Sequence, residues 1–236
     1  SFRDVGQTAK KLAVTFVALQ TARKAVEFAK LSASAKNVER AFKNLAKQPD
    51  QMLQAMKKAT AGTIAEMDLM QQFNQASLLG LPLERFDEML QIARGSAQAT
   101  GQSMEFMLNS IVTGLGRGSK LMLDNLGIMI DTQKAYEEYA EELGKTADKL
   151  TDVEKKQAFV NKALNIGSDN LERAGGVADS AIDIYEGFSA EAKNLSIRLG
   201  EVLQPSVSKV ASSMISMMQQ FDAQKLTAYA ISLGAV

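Results

Sequence analysis

The chain has no cysteine, no histidine and no tryptophan, and its 236 residues include three prolines, Pro49, Pro82 and Pro205. Each absence removes a class of function. Without cysteine there is no disulfide framework, no thiolate nucleophile and no zinc knuckle. Without histidine the commonest general base and the commonest metal ligand are gone. Serine and cysteine triads of the usual kind are therefore excluded, as are His-containing metal sites. Acid–base work would fall to carboxylates, lysine or tyrosine. An excess of charge of one sign is missing too, because 27 Lys and Arg balance 27 Asp and Glu. A neutral chain lacks the basic surplus of a dedicated nucleic-acid binder, and it is not steered toward an anionic membrane.

What remains is helix-forming material. Hydrophobic residues make up 46% of the chain and charged residues 23%, enough apolar content for a real core. Ala, Leu, Met, Gln, Lys and Glu dominate, and β-branched runs are short and scattered. The expected fold is all-α, a bundle of short helices over 1–167 followed by longer coiled-coil-like helices over 168–236. The chain starts without an initiator Met or a signal peptide and stops inside the apolar run LTAYAISLGAV (Leu226–Val236). It reads as a fragment of a longer protein.

The spacing predicts a first helix from about Asp4 to Ala33. Val5, Leu12, Leu19 and Val26 lie seven apart, and small residues Thr8, Thr15, Ala22 and Ala29 follow each by three. That is a heptad seam of alternating large and small residues. A second helix, SASAKNVERAFKNLAKQ, should stop before Pro49, because the residue preceding proline avoids the α region. Thr63 and Glu66 have the spacing of a capping box, as do Thr151 and Glu154. Gly80-Leu81-Pro82, Gly95 and Gly114 are expected helix ends. A longer pattern then runs through Leu171, Ala174, Ala178, Ala181, Tyr185, Phe188, Ala192, Leu195, Leu199 and Val202 in steps of three and four. This predicts a long coiled-coil-like helix, weakened by Gly175-Gly176 and Gly187. Pro205 shifts the register, and Val207, Val210, Met214, Met217 and Phe221 continue the stripe.

Several segments invite a chemical reading. TGLGRGSKLMLDNLG (Thr113–Gly127) holds Gly114, Gly116, Gly118 and Gly127, and it predicts a loop leading into a short helix. A phosphate loop needs Gly-Lys-Ser/Thr in that order, and Ser119 precedes Lys120 here. The dinucleotide pattern fails as well, with Ser119 at its last position. Asp124 and Asn125 lack calcium-loop spacing and suit a turn. Glu137, Glu138, Glu141 and Glu142 form an acidic cluster that reads as the solvated face of a helix. Met214, Met217 and Met218 suit either a core or an adaptable partner surface. No catalytic, cofactor-binding or metal-ligating residue is assigned. The candidate interaction loop is Gly114, Gly116, Arg117, Gly118, Asp124, Asn125 and Gly127.

At this segment the chain resembles the phage tail tape measure protein family. GLGRGSKLMLDNLGI (Gly114–Ile128) carries the resemblance, with YAEELGK (Tyr139–Lys145) and LTDVEKKQAFVNKAL (Leu150–Leu164) after it. LPLERFDEMLQIARGSAQATG (Leu81–Gly101) lies upstream, and LSIRLGEVLQPSVSKV (Leu195–Val210) downstream. The likeness spans about residues 60 to 220 and departs at Lys120, where the family pattern has proline after Gly-Ser. It implies a long helical scaffold, threaded through the tail tube, whose length limits tube polymerisation and which is expelled ahead of the DNA. Implied partners are further copies of itself, tail tube and tail tip proteins, and tail assembly chaperones, in the virion tail and, during assembly, the host cytoplasm. Neither a small-molecule substrate nor a specific nucleic acid is implied, and no enzymatic activity. Two rival readings stand beside this one. The first is a membrane-active module acting on the host envelope through the apolar C-terminal run. The second is a helical glycosidase using two carboxylates.

Overall fold

A computed structural model describes the backbone of residues 2–220, with side chains at 23–213, 215 and 216. The described residues are all-helical, without strands. Two long helices, α1 (Phe2–Leu45, 44 residues) and α9 (Ala181–Gln220, 40 residues), enclose seven shorter ones in sequence. These are α2 (Pro49–Ala59), α3 (Glu66–Leu78), α4 (Phe86–Thr100), α5 (Met104–Arg117), α6 (Lys120–Asp124), α7 (Thr132–Glu142) and α8 (Asp152–Arg173). The chain divides into two compact units. One is Lys36–Asn194; the other joins the first 35 residues to those from Leu195 onward. The boundary expected near residue 168 falls inside α8.

The core of the Lys36–Asn194 unit is built on an aromatic ladder. Phe73 meets Phe42 at 5.1 Å and Phe86 at 5.3 Å, both edge to face. Leu69, Met89, Leu108, Ile111, Val112, Leu123 and Leu164 are fully enclosed around it. Helices α4, α5 and α8 supply most of this material, and their glycines let them approach closely. A Cβ at Gly167 would sit 2.8 Å from Ile92, and one at Gly95 would sit 2.2 Å from Leu171.

Local signals account for most helix ends. Pro49 opens α2 at its first turn, where its missing N–H costs nothing. The Thr151 box forms as expected. Glu154 N–H donates to Thr151 Oγ1 at 3.3 Å, and Glu154 Oε2 accepts from Thr151 N–H at 2.8 Å. Lys145, the Thr151 N–H and the Thr151 hydroxyl, which also donates to Glu154 Oε2 at 2.9 Å, hold the Glu154 carboxyl down at about 2.

Other ends differ from expectation. The two helices expected on either side of Ala33 form one, because Ser32, Ser34 and the alanines around them contain no breaker. Thr63 does not cap α3. Its hydroxyl donates to the Thr60 carbonyl at 2.7 Å, while Glu66 pairs with Lys57 at 2.6 Å. Gly95 lies within α4, which ends at Gly101 in the left-handed region (φ +70°). The pattern from Leu171 to Val202 is not one helix. α8 stops at Arg173, and Gly175 (φ +92°) and Gly176 (φ +78°) turn the chain before α9 begins. Pro205 lies within α9, which continues past it.

In the other unit α1 and α9 meet through small residues. Ala29, Ser32 and Ala35 are buried on α1. Gly200 of α9 lies so close that a Cβ there would be 2.0 Å from the Phe28 carbonyl oxygen. Several large apolar residues point away: Val26, Leu195, Leu199, Val202, Val210 and Ile215 are exposed, while Phe28, Leu31, Ile197 and Leu203 are half-buried. Of the expected α1 seam, Ala29 faces in and Val26 faces out. The side chains of Val5, Leu12, Leu19, Met214, Met217 and Met218 lie outside the described set, and Phe221 and the run Leu226–Val236 lie outside the described residues.

Candidate interaction surface

The glycine-rich segment is a helical hairpin where a loop was expected. Ser103 caps α5 by accepting from Phe106 N–H at 3.2 Å, and the helix runs through Gly114, Gly116 and Arg117. These glycines are contact points. A Cβ on Gly114 would lie 2.8 Å from Leu123, and one on Gly116 would lie 2.4 Å from Leu79. Gly118 alone serves as a terminator. Its left-handed backbone (φ +63°) lets Ser119 N–H donate back to the Gly114 carbonyl at 2.8 Å. Helix α6 follows and ends at Asp124. Asn125 Nδ2 then donates to Ser110 Oγ at 3.2 Å, tying the return to α5. Gly127 takes φ +66°, and its carbonyl accepts from Asn170 Nδ2 of α8 at 2.9 Å.

The seven candidate residues thus fall on one helix end and its return turn. Arg117, Gly118, Asp124, Asn125 and Gly127 are exposed, next to the outward Leu121. The groove beside Gly127 has a volume of about 470 Å³ and is lined by Gly95, Thr100, Asn170 and Arg173 among others. Arg173 is its one ionisable group, so it holds no acid–base pair. Two members of the acidic cluster on α7 are engaged in surface pairs: Glu138 accepts from Lys162 at 2.6 Å and Glu137 from Gln133 at 2.7 Å.

The first half of α9 sits on the bundle in a way that its spacing did not specify. Its inward side is polar and its outward side apolar. Ile182, Ile184, Tyr185 and Phe188 are all exposed, Phe188 by 78%. Underneath, Arg94 of α4 donates to Asp179 and Asp183, each at 2.9 Å, with the Arg94 and Asp183 side chains 12% and 13% exposed. Burial pushes the Asp183 carboxyl up. The Arg94 guanidinium and the Ser180 N–H together outweigh this and hold it below its ordinary range. Lys193 donates to both carboxylate oxygens of Asp68, at 2.7 and 2.8 Å. Asn194 Oδ1 accepts from Glu66 N–H at 3.0 Å. The helix α3 is therefore capped from a residue 128 positions away, which is why Thr63 is free to bond elsewhere.

Glu186 sits less comfortably. Burial raises its carboxyl above the ordinary 4.5, the Met104 N–H opposes this, and Asp183 and Glu105 add repulsion. The folded state therefore binds the proton more tightly than the unfolded state. Stability contributed by this group falls as pH rises from about 4.5 through the raised value. Glu186→Gln should remove that fall, so urea midpoints of variant and parent should draw apart between acid and neutral pH, with the variant more stable at neutrality. Curves that stay parallel across that range would contradict the assignment.

Sequence reasoning assigned Asp183, Glu186 and Lys193 no role. The available signal was their spacing, which puts all three off the Tyr185–Phe188 side of the helix. No protein-family model and no solved structure matches the chain.

Proposed function

We propose that this chain is a structural and assembly segment of a phage tail tape measure protein, without enzymatic activity. The observation that carries this reading is the outward set Leu195, Leu199 and Val202, spaced four and three apart on α9 and left uncovered by the folded chain. Apolar residues at that spacing ask for another helix to cover them. The resemblance at Gly114–Ile128 supports the same class, and the hairpin it forms offers exposed Arg117, Leu121 and Asp124 to tail tube or tip proteins. In this reading the uncovered face takes a further copy of the chain. Long helices then serve as the ruler, at about 1.5 Å per residue.

In-frame removal of the 40 residues of α9 from the full-length protein should shorten the tail tube by about 60 Å, as seen by electron microscopy of the particles. Tails of unchanged length would count against the ruler. Among the described residues no helix is long and apolar enough to cross a membrane. Leakage of lipid vesicles by the purified protein, alongside unchanged tails, would favour the membrane-active alternative instead.

A further inference from the structure

We propose that residues 174–194 form a releasable strap: a polar-seated arm, hinged at Gly175-Gly176, that detaches from the rest of the Lys36–Asn194 unit while the bundle beneath it stays folded. The hinge comes first. Both glycines adopt left-handed backbone, and a Cβ on either would meet nothing within 4 Å, so this turn is held by backbone hydrogen bonds, Gly175 N–H to the Glu172 carbonyl at 3.0 Å and Gly176 N–H to the Leu171 carbonyl at 2.9 Å, and not by side-chain packing. Past the hinge the chain is held at separated points. Gln98 exchanges two hydrogen bonds with the backbone of Ala178. Arg94 holds Asp179 and Asp183, Lys193 holds Asp68, and Asn194 accepts from Glu66. From Ala181 to Asn194 only Ala190 and Asn194 are buried. The apolar residues that would glue an ordinary helix down, Ile182, Ile184, Tyr185 and Phe188, face away.

The balance of forces separates arm from bundle. The bundle rests on apolar burial, which salt does not weaken. The arm rests on charges and hydrogen bonds, and the reach of charge shrinks from about 10 Å at 0.1 M salt to about 3 Å at 1 M. Two of its contacts, Asp179 at 96% and Lys193 at 38% side-chain exposure, are open to that screening. Glu186 is a mixed contact: it accepts from the Met104 N–H of α5 but faces the like charge of Glu105, with Asp183 near it on its own helix. A strap with this composition releases under conditions that leave the aromatic ladder intact.

The absence of cysteine makes the test direct. Phe188→Cys on the arm and Val153→Cys on α8, both 78% exposed, take a pair of spin labels on the whole chain. At low salt one narrow distance is expected. At about 1 M salt, or with Asp68→Asn and Asp183→Asn added, a second and longer population should grow to a substantial fraction, with helicity by circular dichroism unchanged. A single narrow distance in every condition would overturn the strap. So would a second population that appears only as helicity is lost, because arm and bundle would then come apart together. Neither result depends on tail length, so the strap and the tape-measure reading fail separately.

Discussion

Phe73→Ala is expected to lower the unfolding free energy of the Lys36–Asn194 unit by about 3–5 kcal/mol. Phe73 is 1% exposed and is the middle rung between Phe42 and Phe86, so its removal breaks both edge-to-face contacts and opens a cavity. Phe42 belongs to α1 and Phe86 opens α4, so three helices lose a shared contact. Against a typical domain stability of about 5–15 kcal/mol, such a loss would bring the unit close to unfolding at room temperature. Urea titration followed by circular dichroism measures it, and Phe73→Leu should cost much less because most of the volume is kept. A change below about 1 kcal/mol for the alanine variant would mean that the ladder is not the centre of the core.

Two glycines of α9 should respond to the same substitution with opposite signs. Replacing glycine by alanine inside a helix gains about 1 kcal/mol from backbone entropy. At Gly187 an added methyl would meet its nearest neighbour, the Gly62 carbonyl oxygen, at 3.7 Å, so the gain should be realised. At Gly200 the same methyl would lie 2.0 Å from the Phe28 carbonyl oxygen and 2.6 Å from its carbon. Those are backbone atoms that cannot rotate aside. Overpacking costs typically about 1–3 kcal/mol where side chains can shift, and a fixed backbone places Gly200→Ala at the upper end or beyond. Steric cost wins over propensity there, and α1 and α9 must separate. Amide exchange over residues 24–35 and 196–204 should accelerate in Gly200→Ala, while Gly187→Ala should raise the thermal midpoint. Equal effects at the two positions would refute the close contact.

The all-helical class was legible because composition and the scarcity of proline act over the whole chain. Single ends were legible where one residue decides alone, as at Thr151 with Glu154 or at Gly80 before Pro82. They were misread where a glycine had a second use. Gly95 and Gly114 looked like terminators and Gly116 like part of a loop, but each lies inside a helix and makes room for a leucine of another segment. Thr63 and Glu66 had the right spacing for a box, yet a distant asparagine reached the N–H first. That competition is non-local and leaves no trace in a short window. The stripe from Tyr185 to Val202 lies on one helix, but its spacing did not say which way that stripe faces. Periodicity reports which residues share a face but not whether that face turns inward, and here the small and polar residues Ala190, Asn194 and Gly200 took the inner position. The candidate segment forms a hairpin, and its Gly114 and Gly116 do contact work in a helix.

Hydrogen bonds and ion pairs are directional in a way that oily contacts are not, and the underside of α9 is made of them. Asp183 and Glu186 reach α4 and α5, while Lys193 and Asn194 both reach α3. A greasy helix can slide by one turn, about 5.4 Å, and find an equivalent resting place. This one cannot, since the same slide would break every pairing at once and leave buried Asp68 facing no cation. The arrangement works like an indexing notch, admitting a single axial position of helix on bundle.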